Sequence, residues 1–101
     1  MVWLLLAFDL PVKTKAQRKA AAQFRFKLLD DGFEMTQYSV YLRYCGSKNV
    51  AAAHIKRITR RLPNRGKVDI LQFTDAQYEN IVSFDNRGRK IRKTEPQYQL
   101  F

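Results

Sequence analysis

The chain has 101 residues with 19 Lys and Arg against nine Asp and Glu, a formal charge of +10, and is 46% hydrophobic and 13% aromatic. That length suits one domain with a single core and excludes two, and the apolar content excludes a disordered chain. A field this positive attracts polyanions, nucleic acid first among them.

The chain opens on an apolar run, Val2-Trp3-Leu4-Leu5-Leu6-Ala7-Phe8, that stops at a carboxylate, Asp9, followed by Leu10-Pro11. The run is too short to span a bilayer and lacks a basic leader or cleavage site. It is expected to be a central strand covered on both faces, neither a signal peptide nor an anchor, in a cytosolic (cytoplasmic) protein without a membrane partner. One cysteine, Cys45, precludes an internal disulfide, and one histidine, His54, precludes a zinc-type cluster. A bound metal should therefore be a hard, oxygen-liganded ion.

Thr14 is placed to cap a helix over residues 15–30, with Ala20, Phe24 and Leu28 as its apolar row, Ala22, Phe26 and Leu29 widening it, and Gly32 stopping it. Residues 32–45 are rich in aromatic and β-branched types and predict extended structure, either one long strand or two with a bend at Tyr38-Ser39. Gly46-Ser47 opens a second helix in which Ala51, Ile55, Ile58 and Leu62 are spaced for burial, closed by Pro63 and Gly66. Residues 67–74 alternate as a strand, and after a turn at Thr74-Asp75 a short strand is expected over residues 80–84. The order β-α-β(β)-α-β-β predicts an α+β, ferredoxin-like βαββαβ sandwich spanning residues 1–85. Residues 86–101 form a basic tail ending in Tyr98-Gln99-Leu100-Phe101, expected to add a C-terminal strand at the edge of a partner's sheet, in the dimer or in partner docking.

Asp9 is the candidate for chemistry. A strand-end acid commonly just accepts hydrogen bonds from the next turn, and one carboxylate is a poor metal site. A two-fold homodimer removes that difficulty by bringing two Asp9 carboxylates together, where they share a proton or a divalent cation. Such an ion polarises a phosphodiester and activates water.

Two groups of bases are candidates for nucleic-acid contact: Lys13, Lys15, Arg18 and Lys19, and separately Lys56, Arg57, Arg60 and Arg61. No acid interrupts the sequence between Lys13 and Lys27 or between Lys48 and Lys67. Contacts of this kind hold phosphates without reading sequence, and they leave open which group is used. Trp3 is expected in the core or a dimer interface, Cys45 in a packing role, and His54 in packing or at the surface.

Phe8-Asp9-Leu10-Pro11, Arg25, Gly32-Phe33-Glu34-Met35 and Gln37-Tyr38-Ser39-Val40-Tyr41, over nearly the whole chain, resemble the small CRISPR-associated endonuclease family called CRISPR-associated protein two. The likeness is greatest to members from single-effector (type II) systems. The resemblance implies a ferredoxin-like homodimer whose paired aspartates, at Asp9, share Mg²⁺ or Mn²⁺. It implies a bridge on which duplex DNA lies between copies of the CRISPR integrase partner during spacer acquisition, and, as in some members, metal-dependent endonuclease cleavage of RNA or DNA beside it. Asp9 matches the metal ligand. Phe8 stands where some nuclease-active members have tyrosine, Arg18 matches the helix arginine of active members, and Ser39 and Tyr41 match an element near the dimer cleft. A rival reading is a single-stranded RNA-binding module of the same topology. Such modules need exposed aromatics on their central strands. In Arg65-Gly66-Lys67-Val68-Asp69-Ile70, however, Lys67 and Asp69 occupy the aromatic places.

Overall fold

Alternation along the first strand decides how the two sides of the molecule are built. In the computed structural model, which describes residues 1–84, β1 (Val2–Asp9) sends Val2, Leu4, Leu6 and Phe8 into the main core and Trp3 and Leu5 to the other face of the sheet. Asp9 has the parity of the second set.

The remaining elements are α1 (Lys15–Asp30), β2 (Glu34–Gln37), β3 (Val40–Tyr44), α2 (Lys48–Arg60), β4 (Lys67–Thr74) and α3 (Asp75–Glu79). The four strands make one antiparallel sheet in the order β2-β3-β1-β4. A βαββαβ chain with that strand order is the ferredoxin-like sandwich. The central strand is β1, as its apolar run demands, and α1 and α2 cover one face of the sheet.

The α1 helix begins where expected. The Thr14 side chain accepts from the Gln17 backbone and the Gln17 side chain reciprocates, a capping box that satisfies two otherwise orphaned donors. Its buried ridge is Ala21, Phe24 and Leu28, so Phe24 and Leu28 are buried as expected while Ala21 takes the place of the exposed Ala20, and Phe26 is 64% exposed while Leu29 is also open to solvent. The ridge Ala21-Phe24-Leu28 has the spacing that keeps side chains on one face, and Phe26 and Leu29 fall on its flank. In α2, capped by Ser47, Ala51 and Ile58 are buried, whereas Leu62 lies beyond the helix end and is exposed.

Between β2 and β3 the two-strand alternative holds. Tyr38-Ser39 form a tight turn, Ser39 taking a left-handed φ of 64°, and the β2–β3 register shifts between Met35 and Gln37. The strand expected over residues 80–84 does not form. Instead Thr74 caps α3 through a second capping box with Gln77, and beyond it residues 81–83 carry no regular structure and Phe84 is a single bridge residue. The expected C-terminal tail and its strand lie outside the described residues.

The sheet's second face carries no long helix. At one end α3 lays Tyr78 over Trp3, with Phe73 beside them, while Leu5, Leu42 and Tyr44 pack partly against this cluster. At the other end the face runs out to Asp9 with nothing over it among the described residues.

Candidate metal and nucleic-acid site at the Asp9 rim

Asp9 ends β1 with an exposed side chain on the face that the long helices leave uncovered. Its neighbours fix its place. Across β4 its register partner is Lys67, and the next pair on the same face is Ala7 with Asp69. Lys67 Nζ lies 3.6 Å from Asp69 Oδ2, so the lysine is drawn along its own strand. The loop before β4 comes so close that a Cβ on Gly66, which has φ +99°, would sit 2.6 Å from the Asp9 carbonyl oxygen. Only glycine permits that approach, and it pins the end of the strand from one side.

The β2–β3 turn pins it from the other side: Phe8 N–H donates to the Ser39 carbonyl at 3.1 Å. Asp9 and Ser39 are thus brought to one end of the sheet. Tyr41 is not with them. It pairs with Leu6, shares the helix-covered face, is buried, and stacks on Phe8 with centroids 5.6 Å apart, so within one protomer it is turned away from Asp9. Arg18 is also engaged, its Nη1 donating to the Val12 and Lys13 carbonyls at 3.1 Å each, which ties the loop after β1 to α1.

A divalent oxygen-liganded ion would meet few donors here. Among the described residues no three His, Cys, Asp or Glu side chains cluster as a metal site. One chain offers Asp9 as a hard, exposed oxygen donor at the rim. Magnesium binds through one or two carboxylates and keeps several waters, so Asp9 is a donor of the kind such an ion takes.

The bases divide by whether they have other work. Lys13, Lys15 and Lys19 at the start of α1 are exposed, as are Lys56, Arg60 and Arg61 on α2. Arg57 differs from the other α2 bases. Its Nη2 lies 3.1 Å from Asp31 Oδ1, and Asp31 Oδ2 lies 2.7 Å from Nδ1 of the buried His54. Arg57 is therefore a bridge between α2 and the end of α1, not an idle phosphate-binding base. Burial pushes the Asp31 carboxyl up, but the hydrogen bonds and charges of His54 and Arg57 together outweigh it and hold the group below the usual carboxylate value. Burial pushes His54 down, opposed by its hydrogen bond to Asp31. Burial likewise raises the Cys45 thiol, which leaves it a packing residue.

Arg25 was part of the sequence pattern but had no role assigned. Its guanidinium lies over the rings of Phe8 (5.7 Å) and Tyr38 (4.7 Å), and Nη2 reaches Ser39 Oγ at 3.4 Å. The Asp31–His54–Arg57 cluster was missed altogether, since its members are 23 and 26 residues apart and no local spacing joins them.

The RNA-module reading fails on geometry. The aromatics of the face that the two long helices leave uncovered are Trp3 and Tyr44 on the two central strands and Phe73 on β4, and Trp3 is 4% exposed, sealed by Tyr78. It cannot stack on a base, and the Arg65–Ile70 segment leads into β4, an edge strand.

The family described as CRISPR associated protein Cas2 matches residues 1–81. The chain belongs to the Cas2 family. Among similar proteins, one from Paracidovorax avenae is 49% identical over all of this chain and 94% of its own length. One from Flavobacterium psychrophilum is 43% identical over 98% of this chain and 85% of its own length, and one from Parvibaculum lavamentivorans is 44% identical over 99% of this chain and the whole of its own. All three are named CRISPR-associated endoribonuclease Cas2. Membership of the Cas2 family gives the chain a CRISPR-associated role. No helix among its described residues is long and apolar enough to cross a membrane.

Proposed function

We propose that two copies of this chain pack through the sheet faces that the two long helices leave uncovered into a homodimer that serves CRISPR spacer acquisition, bridging copies of an integrase partner and carrying duplex DNA on its basic surfaces. The observation that carries this reading is the sheet face itself: Leu5, Leu42 and Leu71 lie across it, Leu71 57% exposed, and Asp9 stands at its open end. Leaving such a face in water costs about 25 cal/mol for each Å² of apolar surface, and covering it with a second copy recovers that.

In the same dimer the two Asp9 carboxylates hold a shared Mg²⁺ or Mn²⁺. When bound, that ion supplies Lewis-acid polarisation of a phosphodiester and a more acidic water. The chain's own residues do the remaining work. Asp9 orients the ion, Gly66 and Ser39 fix the strand end that carries it, and Lys13, Lys15, Lys19, Lys56, Arg60 and Arg61 hold the nucleic-acid backbone. The endoribonuclease names of the relatives support cleavage of an RNA phosphodiester.

The test is metal-dependent cleavage of duplex DNA and single-stranded RNA by the wild type and by Asp9→Ala, with the oligomeric state of each sample measured. Cleavage by a wild-type dimer and none by an Asp9→Ala dimer supports the metal site. Duplex binding without cleavage by the wild type leaves the bridge role and removes the nuclease. A monomeric wild type overturns the proposal.

A further inference from the structure

A buried guanidinium nitrogen with no acceptor is the most anomalous polar group among the described residues. Arg25 Nε is closed off from solvent and is the one buried side-chain nitrogen or oxygen there without a hydrogen-bond partner. Folded chains satisfy nearly all such groups, and an exception commonly marks a place where a ligand supplies the missing atom.

The surroundings define what that ligand would be. On a guanidinium, Nε and one terminal nitrogen form a parallel fork that matches two oxygens of a phosphate or carboxylate. Here the Nη2 contact is a long one, 3.4 Å to Ser39 Oγ, and the nearby Ser39 hydroxyl is itself able to donate. Tyr38, whose ring centroid is 4.7 Å from the Arg25 carbon, lies 75% exposed at the turn. A tyrosine held by a cation beneath it and open to solvent above is a stacking platform for a planar base. The turn bearing both residues is hydrogen-bonded to Phe8, the residue before Asp9.

We propose that Arg25, Ser39 and Tyr38 form a binding site for one unpaired nucleotide, its base stacked on the outer face of Tyr38 and its phosphate on the Arg25 fork and the Ser39 hydroxyl. This rests on the reading that nucleic acid is the ligand of the chain. It adds a site for a single-stranded stretch that the helix-surface bases, which hold phosphates of any strand, do not provide. It requires no metal and no Asp9 carboxylate. Ser39 in its left-handed conformation presents the turn, and the site requires the turn to shift enough for a phosphate oxygen to reach the closed-off Nε.

The experiment measures affinity, in EDTA, for a blunt DNA duplex, the same duplex with a short single-stranded overhang containing 2-aminopurine, and the same overhang with abasic residues. The proteins are the full-length wild type, Tyr38→Leu, Arg25→Lys and Arg25→Ala. The wild type is expected to bind the base-bearing overhang roughly tenfold more tightly than the blunt duplex, with quenching of the 2-aminopurine, as one base-on-aromatic stack provides. The abasic overhang is expected to bind as the blunt duplex does. Tyr38→Leu, at an exposed position, and Arg25→Lys, which keeps the charge and loses the fork, are each expected to abolish the preference while leaving blunt-duplex affinity unchanged. Should the Arg25 variants fail to fold by circular dichroism, Tyr38→Leu decides alone. A preference that survives Tyr38→Leu, a preference shown equally by the abasic overhang, or no preference in a wild type that binds the blunt duplex overturns the site. Failure to bind any of the three nucleic acids overturns instead the reading on which it rests.

Discussion

The rings of Trp3 and Tyr78 lie face to face, with centroids 4.1 Å apart and planes 4° from parallel. Trp3 Nε1 also donates to Asp75, at the first turn of the same helix. The five residues of α3 thereby become a lid on one end of the sheet face, and the uncovered part of that face is left at the Asp9 end.

Removing that lid should be measurable. Tyr78→Ala deletes the stack and exposes the single tryptophan. A loss of about 3 kcal/mol in urea unfolding is expected, together with a red shift of the native tryptophan emission. An unchanged emission maximum would mean that Tyr78 does not cover Trp3.

A pH prediction follows from His54, the only histidine in the chain. Its folded pKa lies below the usual value, first because burial disfavours the imidazolium and then because Arg43 and Arg57 repel it, with Asp31 opposing. The unfolded chain therefore binds a proton first. Its stability contribution is complete above about pH 6.5, the ordinary imidazole value, and declines as the pH falls from there toward the lower folded value. Asp31, held low in the folded state, adds a second loss at more acid pH, as its carboxylate is protonated. Urea midpoints measured from pH 7.5 to 5.5 should fall in the wild type and stay level in His54→Gln, whatever the overall stability of that variant. An equal slope in both would refute the assignment.

The bases should separate into two kinds. Lys56→Ala and Arg60→Ala remove exposed charges and should each weaken nucleic-acid binding and reduce the salt slope of log K by about one. Arg57→Ala removes a charge already paired with Asp31. It should lower stability by about 1 kcal/mol and change the salt slope far less. Salt titrations of binding beside unfolding curves check both halves. A full unit of slope lost in Arg57→Ala would show that this arginine leaves Asp31 for phosphate.

Much of this architecture is legible locally. An unbroken run of seven apolar residues, Val2 to Phe8, ending at an acid announces a central strand, and Thr14 three residues before Gln17 announces a capped helix. Other features were written in the sequence but outweighed. Thr74 and Gln77 form the same capping pattern that marks α1, yet residues 74–75 read as a turn leading to a strand over 80–84, where instead α3 occupies residues 75–79 and no strand follows. The row Phe24 and Leu28 is legible in the spacing, but Phe26 and Leu29 are apolar too, and composition does not say that α1 leaves them in solvent and buries Ala21 in place of Ala20. The pairing of Asp31 with His54 and Arg57, and the placement of Arg25 against Tyr38, arise only when α1 packs beside α2 and the β2–β3 turn. At the rim itself, the sequence marked Asp9 and Ser39 as one site with Tyr41, but β3 alternates, and Tyr41 faces the helices while its neighbours Val40 and Leu42 face the other side.

The face that the two long helices leave uncovered gives a direct prediction about assembly. Leu71 lies on it in register with Leu5. Leu71→Asp places a carboxylate on the proposed dimer contact at an exposed position, so folding should survive while association weakens by at least about tenfold. Sedimentation velocity over a concentration series, beside circular dichroism, measures both. A variant as dimeric as the wild type would locate the dimer contact elsewhere.

The central claim, that two copies join Asp9 to Asp9 around one ion, is tested most directly by Mn²⁺ titration followed by electron paramagnetic resonance, on wild type and Asp9→Asn samples of known oligomeric state. The account predicts one bound ion for every two chains in the wild-type dimer and none at that site in an Asp9→Asn dimer. One ion for every chain, or equal binding by the Asp9→Asn dimer, would contradict it.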